Sequence, residues 1–186
     1  TLLDYAINAS LVLSYVAMRK DDKAGLVTFN EYFDTFVPAS KQVGQMQTLL
    51  ENLYKQETTF GETDFSALCG HLGKHVNKRS FLVLYTNFSN MTSLNRQLVY
   101  LQQLARQHRV LVVFFEDADL KEYIAGKSVT TEEYYRHVIA EKFAFEKRLI
   151  VSTLKQHGIY SLLTTPDKLS IDVINKYLEM KSRQLL

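Results

Sequence analysis

Apolar residues recur at two different spacings along the chain, and the spacing predicts where helices and strands lie. In residues 2–19, apolar side chains return every three or four positions, which is the period of a helix. Two unbroken apolar runs, Ser80–Tyr85 and Val110–Phe115, have the length of strands and the composition of strands covered on both faces, as in parallel sheets. The pattern therefore predicts an α/β protein.

The same two spacings assign the remaining elements. Further helices are predicted over Lys41–Tyr54, Asp64–Val76, Ser93–Gln107, Thr131–Gln156 and a last segment from Thr165-Pro166 to about Gln184. Further strands are predicted over Ala24–Phe29, Tyr32–Val37 (closed by Pro38) and Ile159–Leu163, with a turn at Asn30-Glu31 and a polar loop at Gln56–Glu62. Alternating strands and helices predict a three-layer domain with a mostly parallel sheet.

Charge and cysteine content narrow the classes of partner. Lys plus Arg number 22 and Asp plus Glu number 20, so the net charge of +2 argues against a nucleic-acid partner or an anionic membrane surface. The apolar run at residues 5–18 is interrupted by polar residues and is shorter than the ~20 residues of a membrane span. One cysteine excludes a disulfide framework. We expect one soluble domain over residues 1–186, without membrane contact of its own.

Polar residues follow three of the predicted strands and begin one predicted helix. Ligands of doubly wound sheets bind at the carboxyl ends of strands, and hydroxyl, amide and carboxylate oxygens suit Mg²⁺ or Ca²⁺. These side chains are therefore candidates for a binding site, although strand-end and helix-capping roles explain the same residue types. The candidates are Asn30, Thr63, Asp64, Thr86, Asn87, Glu116 and Asp117.

Histidines offer a weaker signal. His71 and His75 are four residues apart on a predicted helix, near Cys69, but Leu72 stands where the H-E-x-x-H motif has its Glu. We interpret these two, together with His108, His137 and His157, as surface histidines. Glycine-rich phosphate loops and the G-x-S-x-G motif are absent from the sequence.

The long helix predicted over Thr131–Gln156 is rich in aromatic residues. Tyr134, Tyr135, Phe143 and Phe145 have two interpretations, packing on the sheet or forming a partner-binding face. Packing on the sheet is the expected one.

Two segments resemble motifs of von Willebrand factor A-type domains. Gly61–Leu68 resembles the segment G-G-T-N/D-x-x-x-A-L, and Leu82–Asn87 resembles the strand end L/V-L/V-L-x-T-D. More narrowly, the chain is similar over nearly its whole length to the bacterial family called domain of unknown function 58. The segments that carry this similarity are Leu3–Ser10, Asp22–Phe29 and Val173–Glu179.

The resemblance implies a Rossmann-like von Willebrand factor A-type fold, mostly parallel with one antiparallel edge strand. Its first strand, which carries D-x-S-x-S of a metal-ion-dependent adhesion site, is expected before residue 1. By position Thr63 is the metal-binding Thr and Asn87 takes the acidic position, with Asp64 and Thr86 beside them. Because the Asn87 amide is uncharged, Mg²⁺ binding is expected to be weak or absent.

The resemblance also implies a function. We expect a non-enzymatic protein-interaction module, an assembly or chaperone-type factor that works with a MoxR-type AAA+ ATPase. The implied location is cytoplasmic, either free or as the soluble part of a protein tethered by membrane helices upstream. Two alternatives stay open: a metal-dependent hydrolase or phosphotransferase that uses Glu116 and Asp117, and a scaffold without any site.

Overall fold

A computed structural model describes residues 1–30, 33–56, 63–88, 90–116 and 130–186. The chain divides into two compact units, Thr1–Arg79 with Asp167–Leu186, and Ser80–Pro166. The prediction of one domain over residues 1–186 is not tested by this division and stays a prediction. The turn at Asn30-Glu31, the loop Gln56–Glu62 and Asp117 fall wholly or partly outside the described residues.

Six helices and five strands are found in the described residues. The helices are α1 (Leu2–Arg19), α2 (Gln45–Tyr54), α3 (Phe65–His75), α4 (Met91–Gln107), α5 (Thr131–Gln156) and α6 (Leu169–Ser182), the last preceded by a 3₁₀ turn at Pro166–Lys168. The strands are β1 (Ala24–Phe29), β2 (Phe33–Ser40), β3 (Phe81–Tyr85), β4 (Arg109–Phe115) and β5 (Tyr160–Thr164). The structure is mixed α/β, as the hydrophobic pattern predicts.

In the first unit, β1 and β2 pair antiparallel, and α1 packs against α2, α6 and β1. Ala24, Val37 and Leu49 form a buried cluster between the hairpin and these helices. The expectation that Pro38 closes the second strand is wrong, because β2 continues to Ser40. The register shifts between Ala24 and Leu26, so Pro38 lies in a bulge where its missing N–H removes no ladder hydrogen bond.

The start of α2 also differs from the prediction. The helix begins at Gln45 rather than Lys41, because Gly44 adopts a left-handed conformation with φ of 93° at the N-cap. Val43, which falls inside the predicted helix range, precedes the observed helix and is fully exposed. The four residues before the helix therefore form a turn.

Asp22, which lies just before β1, is hydrogen-bonded to side chains of α6. Its carboxylate accepts hydrogen bonds from the Tyr177 hydroxyl and from the Lys181 ammonium, the latter at 2.6 Å. Burial alone would raise the pKa of Asp22, but the hydrogen bonds from Lys181 and Tyr177 outweigh burial, and the pKa is lowered. The ionised carboxylate therefore stabilises the folded state.

This network predicts a pH dependence of stability. The contribution of Asp22 is complete above its unfolded pKa of about 3.9 and is lost as the pH falls through the lower folded-state pKa. Asp22→Asn is expected to lower the free energy of unfolding by about 1 kcal/mol at neutral pH, since the carboxylate is partly exposed. The variant should also show a shallower loss of stability than the wild type below about pH 4.

Urea unfolding at a series of pH values measures this effect. Asp21→Asn is the matched control, because Asp21 is almost fully exposed and its φ of 65° suits Asn. A parallel pH profile for Asp22→Asn and the wild type would show that the network does not stabilise the fold.

The second unit is built on a parallel sheet. The strand order is β3-β4-β5, with α4 connecting β3 to β4. The central strand β4 is buried along Val110–Phe114, as its unbroken apolar run predicts. A parallel sheet covered by a crossover helix is therefore confirmed for this part of the chain.

The aromatic residues of α5 do not pack on the sheet, so the expected interpretation is wrong. The buried side of α5 consists of Ala140, Ile150 and Leu154, which fixes the rotation of the helix against the sheet. The aromatic side chains of this helix are about half exposed or more. They are Tyr134, Tyr135, Phe143 and Phe145.

The longest helices, α1 and α5, raise the question of whether the chain could span a membrane. Of the helices that the structure describes, none combines the length and the hydropathy that crossing a bilayer requires.

Candidate functional site

In the first unit, the structure brings together the end of β1 and the start of α3. The Asp64 N–H donates to the Asn30 carbonyl at 2.8 Å, and Asp64 is the N-cap of α3. Its Oδ1 accepts from the backbone N–H groups of Ser66 and Ala67 at 2.8 and 3.2 Å. Asp64 thus has the capping role that its position allows, and half-buried Thr63 precedes it directly.

In the second unit, Thr86 and Asn87 follow β3, as predicted. The Thr86 N–H donates to the Val113 carbonyl at 3.0 Å, which fixes this segment against the central strand. The Asn87 side chain is exposed at the carboxyl end of the sheet. Because Thr63 belongs to the other unit, the pairing of Thr63 with Asn87 in one site stays a prediction.

The carboxylates of the enzyme alternative are described only in part. Glu116 follows β4, where its backbone N–H donates to the Thr164 carbonyl of β5 at 2.9 Å, and Asp117 lies outside the described residues. The two-carboxylate hypothesis therefore stays untested.

Asn87 is held by a lysine from α5. The Lys147 ammonium donates to Asn87 Oδ1 at 2.6 Å and to the Phe88 carbonyl at 2.9 Å. It also lies 5.5 Å from the centre of the buried Phe114 ring, a distance typical of a cation–π contact. Three separate elements of the second unit (the end of β3, the strand β4 and the helix α5) thus converge on one ammonium group.

Among the described residues, no acidic group balances the charge of Lys147. Burial lowers the pKa of Lys147, and no acidic group contributes to the shift. Its recorded partners in the described part of the chain are the amide and carbonyl oxygens of Asn87 and Phe88, both uncharged. An ammonium has three N–H donors, and acceptors in the described part of the chain account for two of them.

This arrangement does not fit a divalent cation on Asn87. The amide oxygen already accepts from an ammonium, and two unit charges 4 Å apart repel by about 4 kcal/mol at the effective dielectric of a protein surface. The same position suits an anion, because the ammonium offers it a charge-assisted hydrogen bond.

The histidine expectations are confirmed only in part. His71 and His75 stack with ring centroids 4.2 Å apart, beside Phe36, and burial lowers the pKa of His71, with the charges of His75 and Lys74 adding to it. Over the described residues, no three His, Cys, Asp or Glu side chains gather as a metal site would require. Burial raises the pKa of the Cys69 thiol to about 11, with the charge of Asp64 adding to it, so this cysteine is a poor nucleophile.

His108 is a correction to the surface interpretation. It ends α4 and is buried, and its Nδ1 accepts from the Ser80 N–H at 3.3 Å. The ring is enclosed because β4 begins at the next residue, so the chain turns directly from the helix into the buried sheet.

Lys147 was not among the residues selected from the sequence, although a signal for it exists. Ala140, Lys147 and Leu154 are spaced by seven residues, which places them on one face of a helix. The two flanking residues are buried. A lysine at this spacing from apolar residues predicts an ammonium group that is held against the fold. The spacing can be seen in the sequence alone.

The comparisons with known proteins support the family suggested by the sequence. The family model described as "Protein of unknown function DUF58" matches residues 3–127, about two thirds of the chain. The searches of curated proteins and of solved structures gave no match. The chain is therefore a member of the DUF58 family.

Proposed function

We propose that this chain is a non-enzymatic protein-interaction module that binds an acidic group of its partner without a metal ion. The proposal rests on one observation. The Lys147 ammonium donates a hydrogen bond to Asn87 Oδ1, at the position where a metal-ion-dependent adhesion site would hold its cation. A lysine in that position replaces the positive charge that a metal would supply. The partner's carboxylate would accept the remaining N–H of Lys147.

We also propose that the fold is of the von Willebrand factor A type. The parallel order β3-β4-β5, the crossover helix α4 and the Asp64 N-cap of α3 support this assignment. In such a fold the carboxyl ends of the strands form the binding face, and Asn87 lies at the end of β3. Asn87 and the lysine then belong to the same face of the sheet.

The lysine site has the properties of a docking position for a carboxylate. The ammonium is fixed by two hydrogen bonds and by the Phe114 ring, so little side-chain entropy is lost when a ligand binds. Desolvation strengthens its interaction with an opposite charge. Asn87 is exposed beside it, so its amide N–H₂ can donate to the second oxygen of the same carboxylate.

The proposed partner is a MoxR-type AAA+ ATPase, as the resemblance implies. The site supplies the chemistry for such a contact, an acidic side chain or chain terminus on the ATPase surface. The proposal assigns no catalytic step to this chain.

A binding measurement with the purified ATPase tests the proposal. We expect the dissociation constant to be the same in Mg²⁺ and in EDTA, because no metal ligand is replaced on binding. A loss of binding in EDTA that Mg²⁺ restores would show metal-dependent recognition. If the ATPase does not bind under either condition, binding of acidic peptides is measured instead. Peptide binding would show that the site is right and the partner wrong, and no peptide binding would show that the site is wrong.

A further inference from the structure

The helix α5 carries an exposed apolar surface on the side away from its buried residues. We define the α5 face as the six apolar side chains, 40 to 67% exposed, that lie outside the stripe of Phe143, Ile150 and Leu154 on this helix. They span about two fifths of the helix circumference at 3.6 residues per turn. The members are Tyr134, Tyr135, Val138, Ile139, Phe145 and Leu149.

The size of the α5 face is that of an interaction surface. An aromatic side chain buries about 150–250 Å² when it is enclosed, so the three aromatics of the face, each more than half exposed, present roughly 350 Å². A typical monomer's largest apolar patch is about 300–600 Å² and is often functional. With the three aliphatic side chains added, the face lies in the upper part of this range.

Two charged residues lie within the α5 face. Lys142 and Glu146 stand one turn apart inside the apolar arc, and neither forms an ion pair in the part of the chain that the structure describes. Charges of opposite sign inside an apolar surface favour a partner that presents the reverse order. A second copy of the same helix, running antiparallel, presents that order.

We infer that the α5 face binds the α5 face of a second copy of this chain, antiparallel and about a two-fold axis near residue 144. In this register Lys142 faces Glu146 of the second copy, and Glu146 faces Lys142. The helix spans residues 131–156, so its midpoint coincides with the axis and the two helices overlap along their whole length.

This inference does not depend on the proposed function. Lys147 contacts Asn87 on a different part of the α5 circumference, near the buried residues of the helix. A dimer formed through the α5 face would therefore leave both lysine sites accessible. Such a dimer would bind a multivalent partner twice and gain avidity.

Two charge variants test the register. In a dimer of the Lys142→Glu variant, positions 142 and 146 are both glutamate and face each other across the two copies. In a dimer of the Glu146→Lys variant, both positions are lysine. We expect sedimentation to show a dimerisation constant weakened at least tenfold for either variant alone. When the two are mixed, both pairs become opposite in charge, and heterodimers of wild-type affinity are expected.

Further variants keep the test falsifiable. Phe145→Asp is expected to abolish the dimer while circular dichroism shows an unchanged fold, because the position is exposed. Arg148→Glu makes the same change of charge as Lys142→Glu outside the apolar arc, and its dimerisation should stay within about twofold of the wild type. A wild-type chain that is monomeric at about 100 μM would overturn the inference, and so would variants that fail to recover on mixing.

Discussion

Replacing Lys147 by Met is expected to weaken binding of the acidic partner about ten- to a hundredfold, since a charge-assisted hydrogen bond contributes about 1.5–3 kcal/mol. The free energy of unfolding should change by no more than about 1 kcal/mol. Met keeps the apolar contact with Phe114, and removal of a half-buried, unbalanced charge offsets the two lost hydrogen bonds. Calorimetric binding and urea unfolding of the same preparations measure both quantities.

The matched control for this prediction is Lys155→Met. Lys155 lies on the same helix about two turns after Lys147, and its side chain is exposed. Its replacement should therefore leave binding unchanged. A purely structural role of Lys147 would give the opposite pattern, with a large loss of stability and unchanged affinity per folded molecule. That outcome would contradict the proposed site.

Replacing Gly25 by Ala is expected to lower the free energy of unfolding by about 2–3 kcal/mol, the upper range for overpacking a core. A Cβ at this position would lie 2.7 Å from the Val37 carbonyl oxygen and 2.8 Å from the Ala39 nitrogen. These are backbone atoms of the bulge at Pro38, so no side chain can move aside. The β1–β2 hairpin must therefore shift, and unfolding by urea measures the cost.

A second glycine provides the control for Gly25. Gly70 is exposed within α3, and a Cβ there meets nothing within 4 Å. Gly70→Ala is therefore expected to raise the free energy of unfolding by about 0.5–1 kcal/mol, because Ala favours a helix. Equal stabilities for the two variants would mean that the bulge accommodates a side chain and that the close approach is not a constraint.

Much of the fold follows from the local sequence, and the differences have local causes. The run Val110–Phe115 predicts a strand covered on both faces, and β4 is that strand. The two wrong boundaries lie at residues whose geometry depends on partners, namely the bulge that accommodates Pro38 and the left-handed turn at Gly44. Hydrophobic periodicity carries no information on either.

The candidate site was less predictable than the fold. Asn87 and Asp64 follow from strand-end and capping patterns, since these positions are defined by neighbours in sequence. Lys147 is 60 residues away from Asn87, so only the tertiary structure shows their contact. The aromatic residues of α5 were misplaced for a related reason, because a helix with apolar residues on several sides does not reveal which side meets the sheet.

The most direct test of the account is a calorimetric titration of Mn²⁺ into the intact wild-type protein and into its Asn87→Ala variant. If Lys147 takes the place of a metal, the two titrations should be indistinguishable, with no saturable site that depends on Asn87. A saturable Mn²⁺ site in the wild type that Asn87→Ala removes would contradict the account. The metal would then have displaced the Lys147 ammonium from the Asn87 amide oxygen.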